Sequence, residues 1–509
     1  MQKHEHKISY SLFRASITKE DLNGELIDKY TIKYPICEIE IYIIDRNGEP
    51  YYLVNEPILN DNEGRLYNVI LDKLTYIAKP TRNIDPLTYL NDTIELISEN
   101  LGIKKDINRC KNKLLYFLYR DIFGYERIDV LIRDENVEEI SYVNYHSPIS
   151  IIHRKHSQYE WMKTNIYFFN TEDQDRFIRR LAQLCGKAVS TAYPIVDAIS
   201  SEGHRIAITF QDEITLPGST FTIRKFLKEP LTITKIIKYN TISPLMAAYL
   251  WLLLEAKGYI MIIGAMASGK TTLLSCLTNL INPNWKICTI EDTPEIITFH
   301  EQWLRMKTRK PMFKTDTKPI DLIDLVIISL RHRPDFIIVG ETRGVEIQAL
   351  TQAAGLGHGC LTTFHGGDPI EALTRMASEP LNVKLAGQLL IWAIVTMRRL
   401  VSRGKVIRRV ASIDEIHPTE YHNEKPKLVR IFEWNMSDDT FTPNDPHEVV
   451  KRSVRLREVM KFMGWNTDKL IKELEERELF LNKLVSRGVF RYSDVIREFK
   501  KFYIMKKNE

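Results

Sequence analysis

The sequence predicts an α/β fold with a mostly parallel sheet, preceded by a separate α+β module, and three observations lead there. An apolar strand over residues 259–263 enters the loop Gly264-Ala265-Met266-Ala267-Ser268-Gly269, which opens a helix over 271–280. Further apolar strands at 287–290, 336–339 and 360–364 alternate with helical patterns, as in a parallel sheet covered on both faces. Upstream of residue 230, short alternating strands and amphipathic helices mix without that regular succession.

Taken in order, residues 8–71 alternate apolar and polar, as in Cys37-Glu38-Ile39-Glu40-Ile41-Tyr42, and read as strands. Between 87 and 119 the spacing of Leu90, Ile94, Ile97 and Leu101, then Leu114, Leu115 and Leu118, is helical. Strands return at 139–152, a helix places Phe177, Ile178, Leu181 and Ala182 on one face, and strands follow at 205–210 and 220–224. Pro230 and Pro244 punctuate the boundary, with Ser243 as N-cap and Pro244 at the first helical position. After 444 the pattern is helical and strongly charged, over 454–462, 467–484 and 493–502. The division expected is a β-rich extension (1–85), an α+β domain (86–232), a nucleotide-binding domain (243–443) and a helical region (444–509).

Composition excludes several classes. Of 509 residues, 44% are hydrophobic and 27% charged, as in a soluble globular chain. Lys and Arg number 71 against 66 acidic residues, and this near balance argues against a dedicated nucleic-acid binder. Six cysteines without a C-x-x-C pair form neither a zinc framework nor a disulfide scaffold, so a reduced cytoplasmic setting is expected. The longest apolar runs, 246–254 and 389–397, fall short of the ~20 residues a membrane span needs. Membrane contact is therefore expected to be peripheral.

The loop carries the strongest chemistry. Glycines at its two ends let backbone N–H groups turn inward toward phosphate oxygens, and the helix start adds a positive dipole end. Gly264, Ala267, Ser268, Gly269, Lys270, Thr271 and Thr272 are the expected nucleotide-binding residues. Lys270 would meet the β- and γ-phosphates, and the Thr271 hydroxyl would ligate Mg²⁺.

Four further groups accompany it. Glu291-Asp292 follows the 287–290 strand, where an α/β sheet presents side chains to its ligand; Glu291 would orient water or support Mg²⁺, though solvated acids on a loop fit the same pattern. The 336–339 strand ends in Gly340-Glu341, where the usual motif ends in an Mg²⁺-holding Asp; Glu341 is the first choice to activate or position the attacking water. Arg331, Arg333 and Arg343 lie nearby, within reach of phosphate or a neighbouring subunit, though each taken singly reads first as a structural ion pair. His358 and His365 flank the 360–364 strand and would sense a γ-phosphate, metal ligation lacking clustered partners. In the upstream module, Arg205 and Arg224 on strand edges have the reach to meet phosphate bidentately, while spacing alone favours surface charge.

The four boxes, in this order, resemble the secretion ATPases of the type II/type IV pilus superfamily. The likeness extends to the archaeal motors of the archaellum and adhesive pili, which share the wording Ile290-Glu291-Asp292-Thr293-Pro294-Glu295. It covers 121–415 well and the first eighty residues not at all. It implies a RecA-like P-loop NTPase core behind a PAS-like α+β domain, binding ATP and Mg²⁺ and working as a homo-hexamer beneath the cytoplasmic membrane. Thr271, Glu291 and Glu341 would be the metal-side residues, and His358, His365, Arg205 and Arg224 would join the catalytic set. Expected partners are a polytopic membrane platform protein and, through it, pilin-like subunits, with no nucleic acid. The loop departs from the family wording, opening Gly-Ala-Met rather than Gly-Pro-Thr or Gly-Glu-Thr; those positions meet phosphate mainly through backbone, so activity is expected to survive. The competing readings are a RecA-type nucleic-acid translocase and a scaffold without turnover. Within the family, a retraction or DNA-transfer ATPase stays open.

Overall fold

Between Phe226 and Leu227 the chain divides into two units. The structure, a computed structural model, describes all residues except 1–12, 14, 19, 78–83, 227–228, 310–317, 403–404, 424 and 509. The start of the first predicted strand region and the tip of a basic hairpin at 403–404 therefore lie outside the described residues.

The first unit comprises β1 (Glu25–Lys33), β2 (Glu38–Arg46), β3 (Glu49–Asn55), α1 (Asp61–Ile77), α2 (Pro86–Leu101), α3 (Lys104–Ile122), α4 (Asp129–Arg133), β4 (Val137–Tyr142), β5 (Ser150–His153), β6 (Met162–Thr164), α5 (Thr171–Leu184), β7 (Ile195–Ile199), β8 (Arg205–Thr209) and β9 (Thr220–Arg224). Its strands form one sheet in the order β1-β2-β3-β6-β5-β4-β9-β8-β7. Alternation in β2 buries Ile39, Ile41 and Ile43 on one face, as a half-buried strand requires.

Two expectations are corrected here. Residues 1–85 are not a separate extension: β3 pairs with β6, and one core runs from Phe13 to Ile223. Nor is the chain strand throughout to residue 71. α1 begins at Asp61 because Tyr67, Ile70 and Leu74 recur at helical spacing and bury one stripe, while Asp61 and Glu63 favour the helix start.

The second unit comprises α6 (Ile233–Lys238), α7 (Pro244–Glu255), β10 (Tyr259–Gly264), α8 (Lys270–Thr278), β11 (Ile287–Glu291), β12 (Trp303–Lys307), α9 (Leu322–Arg331), β13 (Phe336–Thr342), α10 (Glu346–Gly355), β14 (Gly359–Phe364), α11 (Pro369–Ala377), α12 (Leu385–Gln388), β15 (Ile391–Ser402), β16 (Lys405–His422), β17 (Lys425–Asn435), β18 (Thr440–Thr442), α13 (Pro446–Arg452), α14 (Arg455–Met463), α15 (Thr467–Ser486) and α16 (Tyr492–Asn508). Its sheet runs β12-β11-β13-β14-β10-β15-β16-β17-β18. The strands from β12 to β15 are parallel, and β15 to β18 form an antiparallel meander. This is the RecA-like core expected, extended on one side. β10 is buried at every residue, consistent with its unbroken apolar run.

α7 is apolar all round up to Leu254 and buried from Leu245 to Glu255, with Ser243 Oγ accepting from the Met246 N–H at 3.1 Å as its N-cap. Trp251 on α7 packs on Phe480, Phe499 and Phe502 from α15 and α16. The helices after 444 thus share the core of the parallel-sheet domain rather than forming a region apart. Glu415, buried in the middle of β16, accepts from Tyr249 Oη at 2.6 Å and from the N–H groups of Val454 and Arg455 at 2.7 and 3.0 Å, so it caps α14. Among the described residues no helix is long and apolar enough to cross a membrane.

Candidate active site

Parallel strands end together, so β10, β11, β13 and β14 deliver their carboxyl-end residues to one edge of the sheet. From β10 the chain enters the loop with Gly264 at φ 151°, Ala267 at 58° and Gly269 at 96°, a run that aims successive N–H groups inward. Gly264 has no room for a side chain: a Cβ there would lie 2.5 Å from the Met397 carbonyl oxygen on β15. α8 starts directly at Lys270, with Thr271 and Thr272 in its first turn. Lys270, only 8% exposed, donates from Nζ to the carbonyls of Gly264 and Ala265 at 2.9 Å each. Burial lowers its pKa, while the nearby Glu341 carboxylate opposes that shift. Ser268 Oγ is buried beneath the loop without a hydrogen-bond partner among the described residues.

Glu341, on β13, is gripped from two sides. Its Oε1 lies 2.5 Å from His365 Nε2, beyond the end of β14, and its Oε2 accepts from Arg343. Partial burial pushes its carboxyl pKa up, but Arg343 and His365 outweigh that and hold it below the ordinary value. Glu341 is therefore a carboxylate at neutral pH.

Glu291, at the end of the adjacent β11, is 3% exposed. Its Oε1 accepts from the N–H groups of Glu295 and Ile296 at 2.8 and 3.0 Å, while Oε2 is buried without a partner among the described residues. Burial pushes its pKa up to about 7 against those two N–H bonds. Gly340 explains the approach: a Cβ at that position would meet Glu291 Cγ at 2.9 Å. The glycine that replaces the usual strand-end Asp is thus the space Glu291 occupies. Asp292, by contrast, is exposed and accepts from Thr308 at 3.0 Å.

Not every expected residue arrives. His358 precedes β14 and His365 follows it, so a six-residue strand, roughly 20 Å counting both ends, separates them. His358 sits at the amino end and its Nδ1 bonds the Pro334 carbonyl at 2.7 Å. A strand presents its two ends to opposite edges of the sheet, so within one chain His365 stands at the Glu341 edge and His358 at the other. Arg331, at the end of α9, and Arg333, ahead of β13, share the His358 edge. Arg205 and Arg224 face each other in register on β8 and β9 of the first unit; Arg205 forms an exposed ion pair with Asp197 at 3.3 Å, and Glu139 stands opposite Arg224 on β4.

One contributor went unforeseen. Arg408 on β16 donates from Nε to the Ala267 carbonyl at 3.0 Å, and its Cδ lies 3.3 Å from where a Gly269 Cβ would be. The basic run 398–409 reads as a solvated hairpin in sequence; only the pairing of β15 beside β10, with Met397 opposite Gly264, brings it against the loop.

The donor set suits a triphosphate with Mg²⁺: a glycine cradle, a lysine, a first-turn hydroxyl, and a buried carboxylate oxygen and hydroxyl left without partners. The family model described as type II/IV secretion system protein matches residues 149–430, more than half of the chain. The chain belongs to that family. It is an ATPase of the type II/IV secretion superfamily. An uncharacterised protein of Methanocaldococcus jannaschii is 32% identical over 87% of this chain and 83% of its own length. Solved structures resemble it more loosely. The VirB11 ATPase of the Brucella suis type IV secretion system is 20% identical over 57% of this chain and 93% of that one, with a TM-score of 0.29. The pilus retraction motor PilT with bound ADP is 19% identical over 69% of this chain and 93% of that one, with a TM-score of 0.40.

Proposed function

We propose that this secretion ATPase is a hexameric motor that hydrolyses ATP to assemble an archaeal type IV pilus-like filament, docked peripherally at the cytoplasmic face of the cell membrane. The observation that carries the reading is the meeting of Lys270, Glu341 and His365 at one sheet edge, with Glu291 one strand away. Family membership and the M. jannaschii relative support the secretion and archaeal parts.

Gly264, Ala267, Ser268, Gly269 and Thr272 cradle the phosphates with backbone N–H groups and hydroxyls, and Lys270 leaves the loop carbonyls for the phosphate oxygens. Thr271, with Glu291 and Glu341 on its side, would hold Mg²⁺, which neutralises charge developing on the transferred phosphoryl group. Glu341, fixed by His365 and Arg343, positions the attacking water. Glu291, titrating near neutrality, is suited to hold or release a proton at its partnerless Oε2. Arg205 and Arg224 are proposed to meet the γ-phosphate of their own or a neighbouring subunit, so that hydrolysis removes the contact that favours the closed form. A polytopic membrane platform protein would receive the motion and pass it to pilin-like subunits.

The test is replacement of the chromosomal gene by the Lys270→Ala form, with surface filaments counted by electron microscopy. Loss of one filament type is expected. Unchanged filaments, or turnover of the purified protein stimulated by single-stranded DNA, would overturn the reading.

A further inference from the structure

The three positive-φ residues of the phosphate loop have one support in common. A Cβ at Gly264 would meet the Met397 carbonyl oxygen at 2.5 Å, and one at Gly269 would meet Arg408 Cδ at 3.3 Å and Met397 Cε at 3.4 Å. Between them, Ala267 at φ 58° gives its carbonyl to Arg408 Nε at 3.0 Å. All of these contacts come from the β15–β16 hairpin, which joins the parallel sheet beside β10.

A bulge aims Arg408 at the loop. Thr396 pairs with Ser412 but Met397 with Val410, so Ala411 is an extra residue on β16. It reverses the alternation of side chains, and Val410 and Ile413, three residues apart, enter the same core with Met397. Arg408, two residues from Val410, therefore shares the Met397 face; without the extra residue Arg409 would stand there.

The consequence falls on the peptide between Ala267 and Ser268. In a trans peptide the carbonyl and the following N–H point in opposite directions. Holding the Ala267 carbonyl outward on a guanidinium turns the Ser268 N–H into the loop, where it donates to the Ala265 carbonyl at a long 3.4 Å. A phosphate oxygen would replace that weak bond. Alanine, unlike the flanking glycines, is strained at positive φ, so the outside anchor is what steadies this peptide.

We propose that Arg408 is a positioning residue for ATP: by holding the Ala267 carbonyl it aims the Ser268 N–H at the phosphates and keeps the loop formed before the nucleotide arrives. This role rests on the reading of residues 264–272 as the ATP site. A contact of this kind serves ground and transition states alike, so it acts on KM rather than on kcat.

Steady-state phosphate release by the full-length protein over a range of ATP concentrations tests it. Arg408→Ala is expected to raise KM about tenfold or more, the worth of one charge-assisted hydrogen bond, with kcat within about twofold. Glutamine carries its Nε2 at the place of the arginine Nε, so Arg408→Gln, a neutral donor, should bring KM back severalfold from the Arg408→Ala value. Arg398→Ala removes a charge from the same hairpin at a residue that lines a different hollow, beside Thr396 and Ser412, and should leave both constants unchanged. Arg399 stands opposite Arg408 in register, so the substitutions at 408 also relieve a like-charge pair, which favours folded variants. With an active wild-type chain, an unchanged KM in Arg408→Ala, a loss confined to kcat, Arg408→Gln no better than Arg408→Ala, or an equal rise in Arg398→Ala would each overturn this role. A wild-type chain that neither binds nor hydrolyses ATP would instead overturn the nucleotide reading itself, and the role of Arg408 with it.

Discussion

Glu291 and Glu341 end adjacent strands of one sheet, yet their surroundings push them apart. Glu341 lies between a guanidinium and an imidazole, partly open to water, and stays ionised. Glu291 is sealed against Gly340, fed by two backbone N–H groups on one oxygen and by nothing on the other, and holds its proton up to about pH 7. Two carboxyls one strand apart thus acquire different chemistry from burial and partners alone. The sequence makes Glu341 the first choice to activate or position the attacking water; in the proposed mechanism Glu341 keeps the positioning task and Glu291 takes the titratable one.

That contrast can be broken in several ways. Lys270 feels the Glu341 carboxylate directly, and Lys270→Ala is expected to reduce steady-state phosphate release by about 10³-fold or more. Glu341→Gln keeps the shape but removes the charge that His365 and Arg343 hold in place; turnover should fall by about 10² or more, with nucleotide binding retained in an equilibrium titration. Gly340→Ala leaves both carboxyls present and only forces Glu291 aside, and about a tenfold loss of turnover is expected. A normal rate in that variant would show that the Glu291 position is immaterial.

Glu291→Gln sharpens the comparison through stability. A carboxyl raised from 4.5 to about 7 on folding keeps a proton that the unfolded chain releases, so it destabilises the fold progressively as pH rises through that window. Replacing it with Gln should stabilise the protein at pH 8 relative to pH 5 by up to roughly 3 kcal/mol, read from denaturant unfolding at the two pH values. Glu341, with its lowered value, has the opposite sign: its contribution is present at neutral pH and is lost as pH falls. The smallest effect is expected from His358→Ala, a change in turnover below about twofold, since that residue sits at the far edge of the sheet on a backbone carbonyl. His365→Ala in parallel should cost markedly more.

Much of this was legible in the residues. Unbroken apolar strands, the loop glycines and the Ser243-Pro244 cap locate β10, α8 and α7 closely, because local chemistry determines each of them. The helices α14 to α16 likewise fall where charge and 3.6-residue spacing place them. What escaped depends on contacts between distant segments. The hairpin at 398–409 is legible, but its continuation into the meander β15 to β18 is not, and the run at 389–397 reads as a merely apolar segment until β15 pairs with β10. Joining residues 25–55 to the sheet of the first unit needs the parallel β3–β6 pair, more than a hundred residues apart. The separation of His358 from His365 follows from strand length, and a pattern match that treats both as one box conceals it.

β16 joins two places usually considered separately. Arg408 holds the backbone of the phosphate loop at Ala267, and seven residues further along the same strand Glu415 grips the start of α14. Roughly 20 Å of paired strand, stepped by register shifts at 410–412 and 413–414, lies between those two anchor points. One strand thus ties the far helices to the loop, and a pull on the former would be felt where the fuel is held.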